Sequence, residues 1–213
     1  MRRLVVLPFL FLCLHATAAQ LHVAAPDSLA DAPLGVHVSG LQPTGVVELR
    51  LSMQDAGGGS WQSRAVYRAD LQGRVDPSTS ASESGTYLGV DPTGLLWSMQ
   101  PEGPARPLPF PVKKRDGRLD FMPAEFTLEV VQAGQIAATR SFRRWLGGQK
   151  VTTAAVEHAG LTAHLYLPAH ARTDGRRHPA VITLGGSEGG IQSADMYAAW
   201  LASHGFVAMS VAY

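Results

Sequence analysis

The sequence predicts an immunoglobulin-like β-sandwich followed by the opening of a parallel α/β sheet. Three observations carry this. From Leu34 to Trp145 apolar residues recur with period two between glycine- and proline-bearing turns, and helical periodicity is absent. After Gly147-Gly148 the texture changes to strand, glycine turn, helix-spaced segment and strand, a βαβ pattern. Hydrophobic residues make up 46% of the 213 and charged ones 16%, which excludes a disordered or highly charged tail protein.

The first element is a leader. Arg2 and Arg3 precede an apolar run from Leu4 to Leu14, and His15-Ala-Thr-Ala-Ala19 supplies small residues for a signal peptidase. This is the three-part pattern of a secretory signal peptide over residues 1–19, cut after Ala19 with Ala18 as a near alternative. Eleven residues are too few to cross a bilayer, which takes about 20. The mature protein is therefore expected to be periplasmic or extracellular, with no membrane span. The only cysteine, Cys13, leaves with the leader, so no disulfide, thiolate metal site or cysteine nucleophile is expected in the remainder. Loss of Arg2 and Arg3 turns a formal charge of +1 into −1, which gives no support to nucleic-acid binding.

Residues 20–147 form the expected sandwich. Leu34–Val38, Val46–Leu51, Ser63–Ala69, Leu95–Met99 and Phe126–Val131 read as strands, and Gln135–Trp145 returns after Ala133-Gly134 as the second arm of a hairpin. In Val46–Leu51, residues Val47, Leu49 and Leu51 share one face while Glu48 and Arg50 point to water. Asp91-Pro-Thr-Gly94 has the residues a type I turn favours. Lys113-Lys-Arg115 and the arginines at 140, 143 and 144 read as solvated faces, with contact to a phosphorylated ligand as the alternative. No glycine-rich phosphate loop occurs, and no cofactor is expected. His158, His164 and His170 span a hairpin and its exit, so no metal site is expected either.

Residues 148–213 begin a second unit. Val151–Glu157 and Leu161–Leu167 read as a hairpin, and Ala180–Leu184 as a strand buried on both faces. Ser193–His204 has helical spacing with Met196, Tyr197, Trp200 and Leu201 on one side; Gly205 stops it and Phe206–Val211 is the next parallel strand. Between strand and helix lies Gly185-Gly186-Ser187-Glu188-Gly189-Gly190. Gly185–Gly189 fits G-x-S-x-G, the nucleophile elbow of α/β-hydrolases. A catalytic Ser187 needs a histidine and an acid beyond it, and only Asp195 and His204 qualify. They sit nine residues apart on one helix, about 13 Å, too far to pair. Three readings stay open: an oxyanion loop presenting backbone N–H groups, a structural tight turn, or a true nucleophile.

Tyr67-Arg-Ala-Asp-Leu-Gln-Gly-Arg-Val-Asp76, Ser84-Gly-Thr-Tyr-Leu-Gly-Val-Asp-Pro-Thr-Gly-Leu-Leu-Trp-Ser-Met99, Pro179–Gly190 and Ala202–Tyr213 together resemble the acyl-CoA thioesterases and bile acid-CoA:amino acid N-acyltransferases. The resemblance runs from about residue 30 to 213, and the Gly-Val-Asp-Pro-x-Gly-Leu-x-Trp-Ser-Met stretch is its most specific part. It implies a β-sandwich followed by an α/β-hydrolase domain. It also implies acyl transfer from a CoA thioester to water or an amino acid, through a Ser or Cys nucleophile with Asp and His. None of those three positions has a counterpart here; only the loop Gly185–Gly190 can be carried over, as an oxyanion hole. The expectation is thus an incomplete hydrolase domain in a chain inactive alone. Free acyl-CoA is cytoplasmic, so an exported relative is expected to act on another thioester or ester. The alternatives are a non-enzymatic exported β-sandwich binding module and a Ser187 esterase.

Overall fold

The structure, a computed structural model, describes residues 18–104, 112–115, 118–158, 160–187 and 189–212. The expected leader lies almost wholly outside them, as do Glu188, Tyr213 and the side chains of Lys113, Lys114 and Arg115. The first half contains β1 (Gln20–Val23), β2 (Asp27–Leu29), β3 (Val36–Ser39), β4 (Val46–Gln54), β5 (Ser60–Arg68), β6 (Ser84–Gly85), α1 (Gly94–Trp97), β7 (Gln100–Pro101), β8 (Val112–Arg115), β9 (Arg118–Phe121), β10 (Ala124–Gln132) and β11 (Gln135–Trp145). The second half contains β12 (Thr152–His158), β13 (Leu161–Leu167), β14 (Ala180–Leu184), α2 (Gln192–Ser203) and β15 (Val207–Val211).

Strand alternation builds the larger sheet, in the order β2-β11-β10-β4-β5-β6, with β7 also on β5. Val47, Leu49, Leu51 and Met53 on β4 and Phe126, Leu128 and Val130 on β10 turn one face inward. They share a core with Val36 and Val38 of the small β1–β3 sheet and with Tyr67, Val75, Tyr87 and Leu95. Full burial of Leu49, Leu51 and Leu128 contributes about 1.5–3 kcal/mol each. The arrangement is consistent with a β-sandwich, and Val38 of β3 also forms an isolated antiparallel bridge with Val75. The expected 126–145 hairpin is present. Gln132 pairs with Gln135, and both Ala133 (φ 49°) and Gly134 (φ 77°) are left-handed, as a type I′ turn requires.

Several expectations need correction. Leu95–Met99 is not a strand, because the Asp91–Gly94 turn runs directly into the helical turn α1. The Asp91 carboxylate accepts from Thr93 N at 2.8 Å, Thr93 Oγ1 at 2.9 Å and Trp97 Nε1 at 2.9 Å, which winds the chain back on itself. Gly94 is required there, since a Cβ would lie 2.3 Å from the Tyr87 ring. The arginines of β11 do not form one solvated face: Arg140 and Arg143 are exposed, whereas Arg144 is fully buried. Residues 142 and 144 share the inward face by the same period-two rule. The short strands β1 and β2 were not anticipated; β2 runs parallel to β11 at the sheet edge.

In the second half the sheet order is β12-β13-β15-β14, with β14 and β15 parallel and joined through α2. The expected β12–β13 hairpin and the strand–turn–helix–strand order are present. The inward face of α2 differs from the expected one: Ala194, Asp195, Ala198, Ala199 and Ala202 are buried, while Tyr197 and Trp200 point outward. Small side chains let the helix lie close to the sheet, and Met196 and Leu201 flank the contact. Nor is β14 buried on both faces. The helix covers the side of Thr183, leaving Ile182 64% and Leu184 56% exposed.

Candidate functional site

The glycine turn leaves β14 at Leu184 and enters α2 at Gln192. Gly189 N donates to Gly186 O at 3.1 Å, closing a turn with the exposed Ser187 within it. Gly189 (φ 64°) and Gly190 (φ 78°) are consecutive left-handed residues, a backbone that L side chains adopt at a cost of roughly 1–2 kcal/mol each. Thr183 Oγ1 donates to Ala194 O at 2.9 Å and ties the strand to the first turn of the helix. A Cβ at Gly185 would stand 3.1 Å from Ser193 Oγ, so the turn folds tightly onto that residue. The first-turn N–H groups of α2 and its positive dipole end lie at this loop, where negative charge is favoured.

The triad suggested by the G-x-S-x-G match is not assembled among the described residues. Asp195 is completely buried beneath the helix, and its carboxylate accepts from His164 Nδ1 at 2.9 Å and from Ser210 Oγ. His204, at the opposite end of α2, donates from Nδ1 to Trp200 O at 2.8 Å, and its Nε2 lies 3.0 Å from Asp31 Oδ2. Ser187 has neither as a hydrogen-bond partner among the described residues.

Sequence reasoning missed the His164–Asp195–Ser210 cluster. The signal was present: His164 and Tyr166 share the helix-facing side of β13, and Ser210 pairs in register with His164. Both His164 and Ser210 bond to the acid, so the serine and histidine are not arranged as nucleophile and base. The cluster pins the first turn of α2, and with it the exit from the glycine turn, to the sheet.

The Asp-Pro-Thr-Gly segment likewise holds a network. Trp97, Thr93 and the Thr93 amide hold the Asp91 carboxyl below the usual carboxylate range. Beneath it Tyr67 and Tyr87 share a hydroxyl–hydroxyl hydrogen bond, and burial pushes both phenols up. With the Tyr87 ring packed against Gly94, the network braces α1.

Residues 31–158 match the family model described as acyl-CoA thioester hydrolase/BAAT N-terminal region. The chain is similar to rat acyl-coenzyme A thioesterase 1, with 32% identity over 194 residues, covering 89% of this chain and 43% of the relative. It is 32% identical over 199 residues to human bile acid-CoA:amino acid N-acyltransferase, covering 91% and 46%. With mouse acyl-coenzyme A thioesterase 6 it shares 33% over 194 residues, covering 89% and 43%. The chain thus spans less than half the length of these relatives. With the family model covering well over half of its residues, the chain belongs to the acyl-CoA thioester hydrolase/BAAT N-terminal region family.

Proposed function

We propose that this chain forms the sandwich and the oxyanion side of an exported acyl-CoA thioesterase-like acyl hydrolase or acyltransferase, in which residues 148–213 begin an α/β-hydrolase domain. The observation that carries the reading is the backbone at the end of β14: two consecutive left-handed glycines lead to the N-terminus of α2 in a chain of this family. Thioester cleavage through a covalent acyl-enzyme develops negative charge on the carbonyl oxygen. Backbone N–H groups held in place before reaction stabilise that charge without reorganisation.

Within Gly185–Gly190, the amide of Gly189 is engaged by Gly186 O and shapes the loop. The amides of Ser187 and Gly190 are the ones we assign to the oxyanion. The nucleophile, base and acid of this chemistry are not assembled among the described residues. The substrate is an acyl thioester or ester, with water or an amine as acceptor. Export follows from the leader pattern, and the mature chain begins at Gln20, where β1 also begins.

The test uses the full product of the gene. Gly190→Ala keeps the amide but strains a backbone at φ 78°, so it should displace that donor and lower kcat for acyl-thioester hydrolysis, by up to roughly 10²–10³-fold if the donor is lost, with little change in KM. Unchanged kcat overturns the assignment. The 213-residue chain alone should neither hydrolyse acyl-CoA nor label at Ser187 with a fluorophosphonate; labelling there would establish a Ser187 esterase instead. N-terminal sequencing of the exported protein should begin at Gln20.

A further inference from the structure

Across β13, β15 and β14 the helix-facing side of the second sheet carries two adjoining rows of side chains. Tyr166, Ala208 and Val181 make an apolar row, and His164, Ser210 and Thr183 make a polar one, each aligned by the strand register. All three polar residues are buried. They lie under two consecutive residues of α2. Asp195, fully buried itself, accepts from His164 Nδ1 at 2.9 Å and 3.1 Å on its two oxygens and from Ser210 Oγ. Ala194 O accepts from Thr183 Oγ1 at 2.9 Å. Three adjacent strands thus converge on one point of the helix.

That point governs the end of the glycine turn. Asp195 N donates to Ile191 O at 2.8 Å, and Ile191 directly follows Gly190. Ile191 occupies the N-cap position and makes no side-chain cap hydrogen bond, so the helix start is not fixed by a cap of its own. The rest of the inward face gives little grip, because Ala198, Ala199 and Ala202 are small and apolar. A buried polar cluster adds little net stability over an apolar one of the same volume; what it specifies is alignment.

We propose that His164, Thr183, Ser210 and Asp195 are positioning residues: they set the register of α2 on the sheet and thereby hold the Gly190 amide where the oxyanion develops. This rests on the oxyanion role assigned to Gly185–Gly190 and adds the device that keeps the loop in place. The four act through α2, with the sheet supplying the order that a capping side chain would otherwise give.

The full product of the gene, with decanoyl-CoA as substrate, tests this. Asp195→Asn and the milder Thr183→Val should each lower kcat roughly ten- to a hundredfold, the effect of a displaced donor, with KM little changed. Thr183→Ser keeps the hydroxyl and should return kcat close to the parent value. Trp200→Phe removes the hydrogen bond from Trp200 Nε1 to Asp31 at the far end of the same helix and should leave kcat unchanged. Hydrogen exchange gives a readout apart from activity: in Thr183→Val the amides of 189–195 should exchange faster while those of 199–203 do not. Unchanged kcat in Asp195→Asn and Thr183→Val, with Gly190→Ala impaired, overturns this proposal and leaves the oxyanion reading standing. Full kcat in Gly190→Ala overturns both. Exchange quickened equally at the two ends of α2, or a loss of kcat in Trp200→Phe as large as in Thr183→Val, also overturns the proposal, because either marks a general support of the fold.

Discussion

At the scale of single residues, polar side chains with fixed partners set the architecture as much as the apolar core does. Asp91 turns an apparent strand into a helical turn by accepting three hydrogen bonds from the residues that follow it. Its carboxyl is held below its unfolded value of 3.8, first by the Trp97 indole and then by Thr93. Folding therefore binds fewer protons at this group in mild acid. The contribution is complete above about pH 4 and is lost as pH falls through the lowered folded value. Asp91→Asn should accordingly be less stable than the parent at pH 7, with the difference shrinking toward pH 3; thermal unfolding at the two pH values checks this. Asp195 is the buried counterpart. Asp195→Ala leaves the imidazole of His164 and the hydroxyl of Ser210 without their acceptor, and should cost about 3–5 kcal/mol in denaturant unfolding.

Elements were legible wherever the period-two pattern ran for six or more residues. β4, β10, β11 and β13 all contain the segments read as strands, because an alternating apolar face specifies both the strand and its register. The short β1 and β2 were not, since three or four residues give too little pattern and their place depends on distant partners. Arg144 was misjudged for a different reason: its charge was weighed and its phase along β11 was not, although Phe142 and Arg144 alternate with exposed Arg143. In α2 the large side chains suggested the inward face, but packing close to a sheet selects the alanines. Ala198→Leu should thus destabilise the protein by about 1–3 kcal/mol through overpacking, measurable as a lower denaturant midpoint. The β10–β11 hairpin predicts the opposite sign. Ala133 occupies the first left-handed position of its turn, where asparagine is preferred, so Ala133→Asn should raise stability by roughly 0.5–1 kcal/mol at unchanged denaturant m-value.

For the whole molecule, the two halves have separate buried clusters, yet chain order does not separate them cleanly. Phe121 of β9 is buried with Tyr166, Ala198, Ala199, Ala202 and Ala208 of the second half. The glycine turn was legible as a special backbone. The residues its helix is anchored by were not, because His164 and Asp195 are 31 positions apart and meet only once β13 and α2 pack. The uncovered side of β14 is also a property of the assembled sheet. Ile182→Lys should leave the melting temperature nearly unchanged and reduce any self-association of the chain in sedimentation, since apolar sheet surface of this kind promotes contacts between copies.

Gly147 and Gly148 mark the change of texture in the sequence and would serve in many proteins as a supple spacer. Here a Cβ on Gly147 would stand 2.7 Å from the backbone nitrogen of Trp200, and Gly148 N donates to Ser203 Oγ at 2.9 Å. The pair works as a weld. A protease supplied with this segment should find no purchase between residues 146 and 150 while the fold is intact, and movements of the sandwich would be transmitted to α2 through the weld.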